Sequence, residues 1–209
     1  MMRLHRFYLT GTVLIISFII LGGCLGKGTQ KATKLYLLEP LSSSMEEQGA
    51  PADEGIVLGV GPIKGRDYLN RPQIVTRTSK NEITIHEFHH WGESLGDNFT
   101  VVLAQNLSIL LSTDQMFIYP WSRKPPLDFQ VVVDIVRFDG EFGVEASLLA
   151  HYYVLKFDEE GTREQMVMRK SSFSKPIKDD SYEALVSAMS ELVADFSREV
   201  ADEIRGACE

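Results

Sequence analysis

The chain of 209 residues carries 29 acidic and 21 basic side chains, which gives a formal net charge of −8. This acidic balance, without clusters of Lys and Arg, argues against nucleic acid as a partner and against electrostatic adsorption to anionic lipid. The two cysteines, Cys24 and Cys208, do not supply a disulfide framework, and Cys208, one residue from the C-terminus, is assigned no role.

The first 24 residues have the pattern of a bacterial export signal. Arg3 and Arg6 precede an uncharged, apolar run over residues 7–21, which is shorter than the roughly 20 residues that a transmembrane helix needs. The run ends in a Leu-Gly-Gly-Cys sequence at Cys24, which resembles the processing site of bacterial lipoproteins. That resemblance implies cleavage before Cys24 and acylation of its sulfur and amino group, and two or more acyl chains anchor a protein stably. The alternative is an incidental cysteine after a retained anchor helix.

The signal also predicts a location and a domain division. Leu25 stands where lipoproteins of the inner membrane usually carry Asp, so the same resemblance implies an outer-membrane protein facing the periplasm. Residues 1–23 are predicted to be the signal peptide. Residues 24–34 lack an apolar period and are predicted to be a flexible tether, so one domain remains, over residues 35–206.

Eight segments have strand character, with alternating or compact apolar and β-branched residues. They are residues 35–38, 56–60, 73–77, 82–88, 116–119, 129–138, 145–157 and 165–175. The second ends at Gly61-Pro62, the third and fourth form a hairpin, and the last three form an antiparallel meander.

Two segments have the period of amphipathic helices. The first places Leu95, Phe99, Val102, Leu103, Leu107, Leu110 and Leu111 on one face. The second does the same with Tyr182, Leu185, Val186, Met189, Leu192, Val193, Phe196, Val200 and Ile204. Ser94 is a suitable cap for the first helix, and Asp180 and Glu183 stand in capping-box positions before the second. We therefore expect an α+β domain, an antiparallel-dominated mixed sheet with two amphipathic helices packed on one face.

The sequence contains one pattern that matches a catalytic motif. His86, Glu87 and His90 satisfy H-E-x-x-H, which on a helix places two zinc-binding imidazoles and a general base on one face. The β-branched alternation before His86 predicts a strand instead, where His86 and His90 would lie about 13 Å apart at 3.3 Å per residue. A histidine cluster at the end of a strand is therefore favoured over a zinc site.

Other candidate chemistry is weaker. Asp134, Asp139, Glu141 and Glu145 flank a predicted hairpin, where carboxylates are most often solvated turn charges rather than a catalytic pair. Gly59-Val60-Gly61 is only a fragment of a dinucleotide fingerprint, and Pro62 follows it. We expect no catalytic residue, no metal and no cofactor.

Several stretches, taken in order, resemble the PqiC-like auxiliary lipoproteins of ABC-type transport systems. They are the processing site at Cys24, residues 35–38, Tyr-Leu-Asn-Arg-Pro-Gln-Ile-Val over 68–75, Trp-Gly-Glu-Ser-Leu over 91–95, the strand near 148–157 and the helix over 182–204. The resemblance spans nearly the whole chain after the signal. Where relatives often carry Leu-Pro before the Tyr-Leu pair, this chain has Arg66-Asp67.

The resemblance implies a non-catalytic lipoprotein in an envelope system that moves lipids between two membranes and supports membrane integrity. It implies two partners, an MCE-domain protein and an inner-membrane transport component, and assembly into homo-oligomeric rings. Another outer-membrane assembly lipoprotein and a lipid-anchored zinc hydrolase using His86, Glu87 and His90 stay open as alternative functions.

One surface is predicted to bind partners. Arg66, Tyr68, Arg71 and Pro72 lie in an exposed turn with Trp91 nearby, and Arg, Tyr and Trp are favoured anchors at interfaces. The alternative is that Tyr68 and Trp91 only cover the edge of the sheet.

Overall fold

In a computed structural model of the protein, residues 31–42 and 55–208 are described. From Thr33 onward the chain forms one compact unit, with a mixed sheet of eight strands and two long helices. This confirms the predicted α+β class. The signal peptide, Cys24 and most of the tether lie outside the described residues.

The elements follow one another in nearly the predicted order and length. The strands are β1 (Lys34–Tyr36), β2 (Leu58–Gly65), β3 (Gln73–Arg77), β4 (Ile83–Trp91), β5 (Met116–Ile118), β6 (Phe129–Gly140), β7 (Glu145–Phe157) and β8 (Arg163–Pro176). The helices are α1 (Leu95–Leu111) and α2 (Tyr182–Cys208), and a short 3-10 helix, Asp67–Leu69, lies between β2 and β3.

Strand β6 is the centre of the sheet. Along one edge it pairs with β7 in a long antiparallel ladder, and β7 pairs in the same way with β8, which confirms the meander. The other edge is shared by two parallel partners: β2 pairs along it up to Ile135, and β3 meets it at Gly140 through Thr76. Beyond them, β5 pairs with β2, β4 pairs with β3, and β1 pairs with β4.

Two strands, β2 and β4, extend three or more residues beyond their predicted ends. Strand β2 does not end at Gly61-Pro62 but continues to Gly65, and its pairing with β6 shifts register between Val60 and Ile63. An irregularity of this kind is where a sheet tolerates proline, which has no N–H to donate. Strand β4 continues past residue 88 to Trp91, again with a register shift in its ladder with β3.

The helix starts confirm one predicted cap and correct the other. Ser94 Oγ accepts a hydrogen bond from Asp97 N at 3.3 Å, as expected. For α2, however, Ser181 Oγ accepts from Ala184 N at 3.0 Å. The capping-box prediction with Asp180 and Glu183 is therefore wrong, because Ser181 is the capping residue and Glu183 stands one position too early for the reciprocal bond.

The core lies between the sheet and the two helices, which both pack on one of its faces. Phe99 of α1 makes an edge-to-face contact with Phe138 of β6, with ring centroids 5.5 Å apart, and Phe196 of α2 does the same with Tyr152 of β7 at 5.4 Å. All four side chains are fully buried. Such pairs stabilise a core beyond the area they bury.

Two buried asparagines fix the segment after β1 against α1. Asn98 Oδ1 accepts from Leu38 N at 2.7 Å, and Asn106 Oδ1 accepts from Leu41 N at 2.8 Å. Asn106 also donates to Ser197 Oγ of α2 at 3.1 Å, which joins the two helices. Within residues 31–42 and 55–208, no helix combines the length and the hydropathy of a membrane span.

Replacing Phe99 with Ala is expected to lower the free energy of unfolding by about 3–5 kcal/mol, because it leaves a cavity in contact with both Phe138 and Phe196. Phe117→Ala is the control, since its ring is 41% exposed on β5, and we expect a change within about 0.5 kcal/mol. Urea unfolding followed by circular dichroism measures both. Equal losses for the two variants would contradict this assignment of the core.

Candidate partner-binding site

The two stretches that hold the predicted surface residues lie side by side in the structure. Residues 66–72 connect β2 to β3, and Trp91 ends β4. The backbone N–H of Trp91 donates to the carbonyl oxygen of Pro72 at 2.7 Å. This bond joins the turn before β3 to the segment that leads into α1.

A pocket of about 430 Å³ lies at this junction, lined by residues 69–72 and 91–95. We call it the Arg71 pocket. Of the five predicted surface residues, Arg71, Pro72 and Trp91 line it, whereas Arg66 and Tyr68 do not. Leu69, Trp91 and Leu95 are each under 10% exposed, so the pocket has a packed apolar floor.

Tyr68 points toward a buried carboxylate instead. Its hydroxyl donates to Asp139 Oδ2 at 2.8 Å, and Asp139 also accepts from Arg77 Nε at 3.0 Å and Arg137 Nε at 2.7 Å. The Asp139 side chain is fully buried, so this charge depends on its three donors. Burial, together with the negative charge of Asp139, raises the pKa of Tyr68 to about 12.

This arrangement corrects one expectation. Asp139 is not a solvated turn charge, because two guanidinium groups and a phenol surround it below the surface. Asp134 pairs with Arg66 at 3.4 Å, with both side chains roughly half exposed. Exposed pairs of this kind contribute little to stability. Glu141 and Glu145 close the hairpin between β6 and β7 through their backbones.

Arg71 differs from these arginines. Its Nε is buried and has no hydrogen-bond acceptor, and no carboxylate lies within ion-pair distance of it among the described residues. Glu93, which also lines the pocket, accepts from Asn98 Nδ2 at 2.9 Å instead. The turn therefore presents one guanidinium whose hydrogen-bonding capacity is not used within the described part of the chain.

The histidines of the H-E-x-x-H motif lie on β4, as the strand prediction required. His86 Nδ1 lies 2.7 Å from the Tyr182 hydroxyl, and His86 Nε2 lies 2.8 Å from Thr76 Oγ1. The His89 ring stacks on Tyr182 with centroids 3.5 Å apart. Burial, and then the nearby His89, lower the pKa of His86.

This cluster uses its nitrogens for structure. Both ring nitrogens of His86 are engaged, and His90 Nε2 lies 3.1 Å from the carbonyl oxygen of Glu87. In the described ranges, no three potential metal ligands come together. Sequence reasoning missed the role of Tyr182, because its place in the helical period indicated only a core contact.

Comparison with known proteins identifies the family. The family model for the ABC-type transport auxiliary lipoprotein component matches residues 36–201. The chain belongs to this family. The match begins at the last residue of β1 and ends within α2, so it covers the other seven strands and α1 in full and most of α2. No curated protein matches the chain significantly.

Two solved structures share the fold of this family member. One, described only as the crystal structure of an uncharacterized protein, has a TM-score of 0.66 at 18% identity, with coverage of 83% of this chain and 99% of that one. The other is protein XCC0632 from Xanthomonas campestris, with a TM-score of 0.58 at 12% identity and coverage of 80% and 92%. At these identities the likeness shows the fold alone.

Replacing Tyr68 with Phe is expected to lower the free energy of unfolding at pH 8 by about 1.5–3 kcal/mol, because the buried carboxylate of Asp139 loses a donor. The pKa of Tyr68 is raised in the folded protein, so this contribution is complete below about pH 10, the ordinary pKa of tyrosine, and is lost as the pH rises through about 12. The difference between wild type and variant should therefore shrink between pH 8 and pH 12.

Denaturant unfolding at several pH values measures this difference. Tyr153→Phe is the matched control, since no hydrogen bond of its hydroxyl is found within the described residues, and we expect it to change the stability at pH 8 by less than about 0.5 kcal/mol. A constant difference between wild type and Tyr68→Phe from pH 8 to pH 12 would show that the Tyr68 hydroxyl is not coupled to Asp139.

Proposed function

We propose that the protein is a non-catalytic, periplasm-facing lipoprotein subunit of an MCE/ABC-type envelope lipid transport system. In this function it docks an MCE-domain protein and an inner-membrane transport component, and it thereby supports membrane integrity. The observation that carries the proposal is the family match across residues 36–201, which covers the fold except the start of β1 and the last turns of α2.

The anchor in this proposal is Cys24, acylated after removal of residues 1–23 and held in the outer membrane. Support comes from the apolar run over residues 7–21, its Leu-Gly-Gly-Cys ending and Leu25. A formal net charge of −8 gives the domain little electrostatic attraction to anionic lipid. Attachment through acyl chains is consistent with that charge.

Docking in this proposal uses the turn 66–72 and the Arg71 pocket. The Asp139 network holds the start of the turn and the Trp91–Pro72 bond holds its end, so the surface between them is fixed before any partner arrives. Preorganisation of this kind lowers the entropic cost of association.

Ring formation in this proposal uses the edges of the sheet. Strands β1 and β8 each have one partner strand among the described elements. Both expose apolar side chains: Leu35 is 67% exposed, and Met166 and Met168 are 51% and 62% exposed. Uncovered edges with apolar residues are typical interaction sites.

Affinity purification of the full-length protein from membranes is expected to bring an MCE-domain protein into the eluate. Cys24→Ala should lose this partner, because the domain is no longer held at the membrane. Cys208→Ala, which changes the other cysteine, should keep it. Recovery of outer-membrane barrel assembly machinery in place of an MCE-domain protein would contradict the proposal and support an assembly lipoprotein.

Mass spectrometry of the membrane-purified protein tests the anchor separately. We expect a chain that begins at Cys24 and carries acyl chains. An intact leader over residues 1–23, or an unmodified Cys24, would remove the anchor from the proposal.

Metal analysis of the purified protein is expected to find zinc well below one equivalent per chain, since His86 has both ring nitrogens engaged by Tyr182 and Thr76. The His86→Ala variant should give the same value. Stoichiometric zinc that disappears in this variant would favour the lipid-anchored hydrolase and contradict the non-catalytic role.

A further inference from the structure

Arg71 is set apart from the other arginines of the same surface by what its guanidinium contacts. Arg66, Arg77 and Arg137 each lie within 3.4 Å of an aspartate oxygen. Arg71 has no such partner among the described residues. Its buried Nε is the single side-chain polar atom in that part of the chain that is both buried and without a hydrogen bond. A donor of this kind is costly unless an acceptor reaches it.

Arg71 also lines a pocket, through which an acceptor can approach its guanidinium group. Its volume of about 430 Å³ lies at the lower end of the range for ligand sites and leaves room for a few side chains. One wall is the start of α1, where Ser94 Oγ accepts from Asp97 N. The positive end of the helix dipole adds to the field of the guanidinium at this wall.

The charge balance of the pocket disfavours a dianion. Arg71 supplies one positive charge, and the carboxylate of Glu93 lines the same pocket. A dianionic phosphate would therefore be only partly neutralised. A planar carboxylate, in contrast, matches the guanidinium fork with two parallel hydrogen bonds.

The walls indicate what is attached to this carboxylate. Leu69, Pro72 and Leu95 line the pocket beside Arg71, so an apolar group next to the charge is also accommodated. The net charge of −8 disfavours approach to an anionic bilayer surface, whereas a peptide brings its carboxylate without such a surface.

We infer that the Arg71 pocket binds a carboxylate of a peptide segment, either its C-terminus or an acidic side chain, with an apolar residue beside it. That the ligand belongs to a protein rests on the docking role proposed above. The inference adds the chemistry of the contact and the residue that makes it.

The test uses the full-length protein in detergent and three short acetylated probes. One ends in Leu with a free carboxylate, one is the same peptide with a C-terminal amide, and one is the amide with an internal Asp before Leu. Amide resonances of Gly92, Leu95 and Gly96 report binding, because these residues lie at or next to the pocket. We expect the two carboxylate peptides to shift them and the plain amide to leave them unchanged.

Two variants separate the pocket from the rest of the protein surface. Arg71→Gln should weaken carboxylate binding by about tenfold or more, since it removes a charge-assisted pair. Arg123→Gln, at an exposed arginine outside both the turn and the pocket, should bind like wild type. Arg71→Lys keeps the charge without the fork and should give an intermediate affinity, which preserves the test if Arg71→Gln fails to fold.

Several results would overturn the inference. These are equal binding of the carboxylate and plain amide peptides, equal losses for Arg123→Gln and Arg71→Gln, or shifts produced by phosphatidylglycerol vesicles and by no peptide. Inorganic phosphate that binds as tightly as the peptides would also count against it. Each of these results leaves the co-purification of an MCE-domain protein untouched, so failure of the inference is distinct from failure of the proposed function.

Discussion

The buried carboxylate of Asp139 positions the candidate site. It lies near the end of β6 and accepts hydrogen bonds from Arg77 on β3, from Arg137 on β6 and from Tyr68 in the turn between β2 and β3. Removing any one donor would leave part of a buried charge without compensation, which is costly. The carboxylate therefore holds β3 against the end of β6, where Thr76 pairs with Gly140, and it fixes where the following residues, Leu69 to Pro72, can lie. The Arg71 pocket has its shape because this anchor is upstream of it and the Trp91–Pro72 bond is downstream.

Patterns within short segments were enough to predict the elements. One-sided burial gives helices and strands their periods, so the faces of α1 and α2 and the meander of β6 to β8 followed from the sequence. The neighbours of β6 did not follow, because its parallel pairing with β2 and β3 depends on partners more than 60 residues away. The burial of Asp139 was not predicted for the same reason. Its position beside Gly140 indicates a turn, whereas its burial depends on Arg77, 62 residues earlier. The roles of Asn98 and Asn106 were missed for a similar reason, since an asparagine within a helical period carries no local sign of the backbone N–H that it will satisfy.

The residues of the predicted surface separate by side-chain chemistry. Large aromatic residues are favoured both at interfaces and in cores, and the sequence left these alternatives open for Tyr68 and Trp91. In the structure Trp91 is 6% exposed, and the Tyr68 hydroxyl donates a hydrogen bond to Asp139. Both aromatic side chains therefore stabilise the fold of this region. The sequence grouped Arg66 with Arg71, but an ion pair with Asp134 occupies Arg66 at the surface. Which arginine lacks a carboxylate partner depends on the fold of the turn and cannot be predicted from the spacing of the residues.

Asp139 and Arg71 differ in how far the protein itself satisfies their charged groups. Both bring a charged group partly or wholly below the surface within one short turn and its neighbours. Asp139 is surrounded by donors from three segments, which is what stability requires of a buried charge. Arg71 Nε has no acceptor among the described residues, although the protein carries more acidic than basic side chains and Glu93 lines the same pocket. In natural proteins a local departure from full hydrogen bonding is rare, and it is concentrated at sites that act on something outside the chain. A turn that satisfies one charge completely and leaves the next beside a pocket is consistent with the docking role proposed above.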